Sequence, residues 1–307
     1  MIFLVWLSSA FGGTGPWVPG TGNLNLYVGV EGQSFHRLKA SGDGASESLD
    51  VGDGVSTFVA QAAMSYGISS RAEVSLSLPF QHSNVGREDA GVCTELGLDA
   101  CKTTDTVGII EARVKGLILD ELSGAPVSLS LASAIRYGGL SAQYRARLTG
   151  AGEGTLDFGP AISIGRSGPM GQGYFVTSLD IEWLYRIPNT RSYPQLQGEE
   201  AVPGSEFLAL WDLFLTPKSA VSFGPSVTGS WRPEGRDFLD LELEDIDRFS
   251  ALRYAQVRVG GKLILRDKSN NSFSLAVYRT AVAWNSPSDT LTIGAGVSLV
   301  NLLSRKN

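Results

Sequence analysis

The sequence has no run of about 18 consecutive apolar residues, so no helix of this chain can span a bilayer. Cysteine numbers only 2 in 307 residues, and the neighbours of Cys93 and Cys101 cannot complete a set of four ligands, which argues against a metal centre there. Charged residues make up 18% of the chain, and the formal net charge is -6. With no basic stripe, this balance argues against nucleic-acid binding. Blocks rich in Ala, Glu, Lys and Leu are nearly absent, which argues against extended helices.

What the chain has instead is glycine, 37 residues, and short segments that alternate apolar and polar positions. In "YGISSRAEVSLSLPF", Val74, Leu76, Leu78 and Phe80 share one face, and Glu73, Ser75 and Ser77 share the other. The same pattern recurs at 24–37, 55–67, 70–82, 105–120, 126–137, 153–166, 173–187, 205–217, 219–232, 250–266, 272–284 and 290–303. These twelve expected strands are mostly longer than the usual ~5–6 residues of soluble sheets.

The connections sort by length. "GIS", "ELSGA", "GPMGQ", "TPKS" and "DKSNN" are short and rich in turn formers. Between them fall longer segments at 38–54, 83–104, 138–152, 188–204 and 233–249, with a shorter one near 285–289. Strict alternation of short and long connections, with an even strand number, marks an outer-membrane barrel rather than a sandwich. The fold expected is all-β: a transmembrane antiparallel up-and-down barrel of about 12 strands, with both termini on the short-turn, periplasmic side.

Mid-strand charges fit this reading, since a water-facing interior accommodates them and a dry sandwich core does not. Glu73, Glu111, Arg113, Lys115, Asp180, Glu182, Arg186, Asp212, Arg258 and Lys262 are the expected lumen-lining residues. Charges of both signs there would either line a polar path for a solute or pair and fill the interior. Trp183, Tyr185, Trp211, Trp231, Tyr137 and Trp284 sit toward strand ends, where aromatic girdles form.

At the N-terminus, Ile2–Leu7 followed by Ser8-Ser9-Ala10 reads as a signal-peptide remnant over 1–10, lacking a positive start. Residues 11–307 would then form one barrel domain. The alternative is an apolar strand or plug. Cys93 and Cys101, in "CTELGLDAC", are expected to staple a loop by a disulfide worth about 2–3 kcal/mol, the alternative being two free thiols. The Gly-rich "GTGPWVPGTG" and "LTGAGEGTLDFG" lack the Lys-Ser/Thr of phosphate loops and read as turns and rims.

"YGISSRAEVSLSLPF", "GTGNLNLYVGVEGQSF" and "KGLILDELSGAPVSLSLASAIRY" resemble hairpin segments of an outer-membrane protein family named for the meta-pathway of phenol degradation. The resemblance covers roughly residues 17–140. It implies passage of small, in part aromatic, compounds across the outer membrane, and supplies no catalytic residues. The chain departs from such barrels in ending "NLLSRKN" rather than on an aromatic residue.

No enzyme chemistry is expected. "QHSNVGRE" is similar to the His-x-Ser-Asn segment of outer-membrane lipid hydrolases, but His82 and Ser83 are adjacent and would point to opposite faces. The acidic stretches with Asp43, Glu47, Asp50 and Asp53, and with Glu234, Asp237, Asp240, Glu242, Glu244, Asp245 and Asp247, lack calcium-loop spacing and read as solvated surface. A short helix over 238–249 is compatible with Leu239, Leu243 and Ile246 falling on one helical face. No cofactor or metal is implied. The partners implied are outer-membrane lipid, lipopolysaccharide and a small solute. The competing function is a closed-lumen barrel with a structural or surface-interaction role.

Overall fold

The structure, a computed structural model, describes residues 15–42, 45–85, 103–138, 155–188, 204–218, 220–240 and 252–303. Its strands are β1 (Leu24–Gly42), β2 (Ala45–Ser69), β3 (Ala72–Val85), β4 (Thr104–Val107), β5 (Ile110–Leu119), β6 (Ser128–Tyr137) and β7 (Thr155–Met170). There follow β8 (Gly173–Pro188), β9 (Glu206–Lys218), β10 (Val221–Arg232), β11 (Tyr254–Arg266), β12 (Ser272–Trp284), β13 (Ser286–Pro287) and β14 (Leu291–Leu299). Apart from the short β4 and β13, neighbours in sequence are neighbours in the sheet. β1 closes the sheet, pairing with β14 along Leu26–Ser34 and with β2 on its other edge. The result is a closed antiparallel barrel of twelve strands, which leaves no unpaired edge for lipid to meet.

The period-2 pattern decides which side chains face out. On β8, Leu179, Ile181, Trp183, Tyr185 and Ile187 are exposed, whereas Ser178, Glu182 and Arg186 are buried inside. On β3, Leu76 and Phe80 are exposed and Glu73 and Ser77 are buried. An exposed apolar outside around a polar inside inverts a soluble protein and suits a lipid-facing barrel. Trp183, Phe207 and Trp231 stack side by side on that outer surface, their ring centroids 5.2 and 5.6 Å apart across β8, β9 and β10. Trp183 and Trp231, each an apolar ring with one N–H, are of the kind that a membrane–water interface favours.

Three local expectations need correction. Residues 38–54 are not a loop: β1 and β2 continue as one long hairpin to Gly42 and Ala45. Leu38, Ala40, Val51 and Val55 are buried there, and β1 packs on a 3-10 turn at Phe238–Asp240 and pairs with β13. The exposed Ser46, Glu47, Ser48 and Asp50 hid this strand from the sequence. The segment expected at 105–120 is broken into β4 and β5, with Gly108 donating to the Pro79 carbonyl at 2.9 Å. Pro79 has no N–H to continue the ladder, so the partner strand must restart beside it. Of the segment 238–249, Phe238–Asp240 form a 3-10 turn, and residues 241–249 lie outside the described residues. The last strand ends at Leu299 rather than at 303. Residues 1–10 and both cysteines, Cys93 and Cys101, also lie outside the described residues.

Candidate functional site: the charged barrel interior

Backbone register sets up the first ion pairs. Glu73 on β3 lies opposite Lys115 on β5, and Glu111 on β5 opposite Arg136 on β6. Side chains on one face of directly paired positions meet, and the pairs close at 2.9 Å and 2.6 Å. The next contacts leave the wall. Glu182 on β8 accepts from Arg113 at 2.7 Å and from Arg136 at 3.0 Å through the same oxygen, while Arg113 also reaches Glu111 at 3.0 Å. Two guanidiniums and two carboxylates thus brace β5 and β6 to β8 across the inside of β7.

A second cluster lies nearer the long connections. Glu206 on β9 accepts from Arg186 on β8 and from the Tyr254 hydroxyl on β11. Arg232 on β10 is 3.6 Å from the same carboxylate and covers the Tyr254 ring at 5.1 Å. Leu184, Leu208 and Leu210, fully buried beside it, form an inward apolar patch. A third cluster joins Lys262 to Asp212 at 2.9 Å, with Ser226 and Tyr278 hydroxyls 2.9 Å apart.

Glu73, Glu111, Lys115, Glu182, Arg186, Asp212, Arg258 and Lys262 are buried, and Arg113 and Asp180 are half-buried. Glu73, Glu111, Arg113, Lys115, Asp180 and Glu182 come together around one cavity of about 390 Å³. Arg186, Asp212 and Lys262 belong to the other two clusters, and Arg258 makes no ion pair among the described residues. Sequence reasoning missed Glu31, Arg136, Asp157, Glu206, Arg232 and Tyr254, all buried inside. Strand parity carried the signal for Glu206, which shares the inward face of β9 with Asp212.

The cavity floor is made by the segment before β1. "GPWVPG", read as a rim, instead enters the barrel. The Lys115 ammonium donates to the Gly15 and Trp17 carbonyls at 3.3 and 2.8 Å, and the Gly15 amide donates to Asp180 at 3.2 Å. Two glycines let the segment approach. A Cβ at Gly67 on β2 would fall on the Gly20 and Pro19 carbonyl oxygens, and one at Gly165 on β7 would lie 2.7 Å from Pro16 and Trp17 ring atoms. Anchored on β2, β5, β7 and β8, residues 15–20 cross the barrel at its short-turn end.

At the opposite rim, Asp237 accepts from both arms of Arg253 and from Asn285 Nδ2 at 2.6 Å. Arg253 also covers the Trp284 ring at 5.1 Å. The Arg253 hydrogen bonds, which outweigh partial burial, hold the Asp237 carboxyl below its ordinary value. A carboxylate depressed in the folded state stabilises above its unfolded value and loses that contribution as pH falls through about 4 and below. Acidification from pH 6 to 3 is therefore expected to lower the melting temperature more in the wild type than in Asp237→Asn. Equal losses in both would remove this latch from the account.

The adjacent His82 and Ser83 do point to opposite faces. His82 lies outside, 2.7 Å from Asp105 on β4, while buried Ser83 pairs with Gln81 at 2.6 Å and Thr57 at 3.0 Å. A hydroxyl and an imidazole on opposite sides of a sheet cannot share a proton. His36 is likewise at the rim, 3.9 Å from Asp289.

No protein-family model matches the chain, and no curated protein does. Among solved structures, an outer-membrane channel from Pseudomonas putida F1 superposes with a TM-score of 0.67 at 13% identity, covering 93% of this chain and 97% of that one. LpxR from Salmonella typhimurium (TM-score 0.46, 8% identity, 90% and 99% coverage) and the NanC porin (0.42, 8%, 88% and 98%) overlap more loosely. The chain has the fold of an outer-membrane β-barrel: a closed barrel with an apolar outside and a charged inside.

Proposed function

We propose that this chain is an outer-membrane barrel that lets small solutes through its charged interior, without covalent chemistry or a cofactor. The observation that carries this reading is the cavity of about 390 Å³ walled by charges of both signs inside a lipid-facing barrel. Cavities of this size suit small molecules, and the resemblance of residues 17–140 adds aromatic compounds to the solutes to be tried. The long connections and the acidic rim face outward against lipopolysaccharide, and the short turns and both termini face the periplasm. Residues 15–20 form a closure at that end, which a passing solute displaces.

The cross-lumen braces favour the competing reading, a closed barrel with a structural role. Ion selectivity separates the two. Arg258 is buried inside, with the Glu31 carboxylate in its field but no direct ion pair among the described residues, so its charge acts on whatever passes. In planar bilayers the wild type is expected to conduct, and Arg258→Glu to shift selectivity toward cations. No conductance from a correctly folded barrel supports the structural role, and unchanged selectivity takes Arg258 off the path.

A further inference from the structure

We propose that the cavity above residues 15–20 is a binding site for a small organic cation, a primary ammonium on an aromatic or aliphatic body, with Asp180 as its anchor. The inference rests on the passage reading above and names the substrate class that reading leaves open.

Charge counting around the cavity leads there. Glu73 is neutralised by Lys115, and Glu111 and Glu182 are shared between Arg113 and Arg136. Three carboxylates thus balance three cations. Asp180, the fourth acid of the wall, makes no ion pair among the described residues. Among the described residues it accepts from the Gly15 amide at 3.2 Å and from the hydroxyl of Ser163, its cross-strand partner, while the Lys115 and Arg113 charges, both engaged with other carboxylates, act on it without contact. A half-buried carboxylate held by two neutral donors keeps acceptor capacity for a charged one. An anion would meet this surplus negative charge, and a neutral solute would leave it uncompensated.

The rest of the wall suits the body of such a molecule. Trp17, Val18 and Pro19 close the cavity from below, and Tyr27 flanks it. The face of an indole or phenol attracts an ammonium as well as stacking against a ring. An incoming ammonium competes with the Gly15 amide for Asp180, so binding also loosens one of the anchors that hold the segment in place.

Calorimetric titration of the folded barrel in micelles tests this, using phenethylammonium, 2-phenylethanol and phenylacetate as probes of equal body and different charge. Saturable binding is expected for phenethylammonium, weaker by about tenfold for 2-phenylethanol, and none for phenylacetate. Asp180→Asn is expected to cost phenethylammonium about tenfold while leaving 2-phenylethanol unchanged. Trp17→Ala, outside every strand and so without effect on barrel closure, is expected to weaken both. Phenylacetate binding as well as phenethylammonium, or a folded Asp180→Asn that binds the amine unchanged, would overturn the proposal. So would the absence of saturable heat from all three. Conductance without amine binding would end this inference alone. Amine binding without conductance would end the passage reading and leave the site.

Discussion

Gly165→Val is expected to expel residues 15–17 from the barrel and raise its conductance. A Cβ there meets Pro16 Cδ and Trp17 Cη2 at 2.7 Å, and valine adds two further methyl groups to that collision. Overpacking of this kind costs roughly 1–3 kcal/mol. A cost of that size raises the population of the released segment by about 5- to 150-fold. The barrel itself is not strained, because the collision is with a segment outside the strands. Gly116→Val supplies the control: nothing lies within 4 Å of a Cβ at that position. Single-channel recordings are expected to show longer or larger openings for Gly165→Val and wild-type behaviour for Gly116→Val. Equal recordings for all three would show that the segment does not close the path.

Glu182→Ala carries the largest expected loss of stability. One oxygen of Glu182 accepts from both Arg113 and Arg136, and the carboxylate is buried. Removing it leaves two guanidiniums with only Glu111 between them. Breaking a buried ion pair from one side typically costs about 3–5 kcal/mol, because the remaining charge stays buried without compensation. The temperature at which the folded barrel loses its compact gel mobility is expected to fall accordingly. Glu182→Gln, which keeps one acceptor oxygen, is expected to lose less. A Glu182→Ala barrel as heat-resistant as the wild type would mean that water, not Glu182, compensates these arginines.

Much of the barrel was legible because its rule is local. Side chains alternate at period 2, so β8 declares its lipid face through Leu179, Ile181 and Trp183 without reference to any other strand. The sorting of connections by length then gave closure. The pairing inside was not legible, since Arg113 and Glu182 are 69 positions apart and Arg136 and Glu182 are 46 apart. Which interior charges meet depends on register summed over several strands. The hairpin over 38–54 was missed because its outward residues are as polar as a loop's, and the β4–β5 break because Pro79 acts on its neighbour rather than on its own strand. Residues 15–20 read as a rim for a different reason. Gly and Pro mark irregular backbone, and their pattern does not distinguish a loop in water from a segment laid across a lumen.

We propose that the charged interior is a route for small solutes, opened when residues 15–20 move aside. Uptake by sealed liposomes carrying the wild-type chain or Gly165→Val, with a size-graded series of labelled amines and neutral solutes, tests it most directly. Uptake above protein-free liposomes for the smallest solutes, faster in Gly165→Val and falling with solute size, is the expected result. Uptake equal to protein-free liposomes for both folded proteins, at every size, would contradict it.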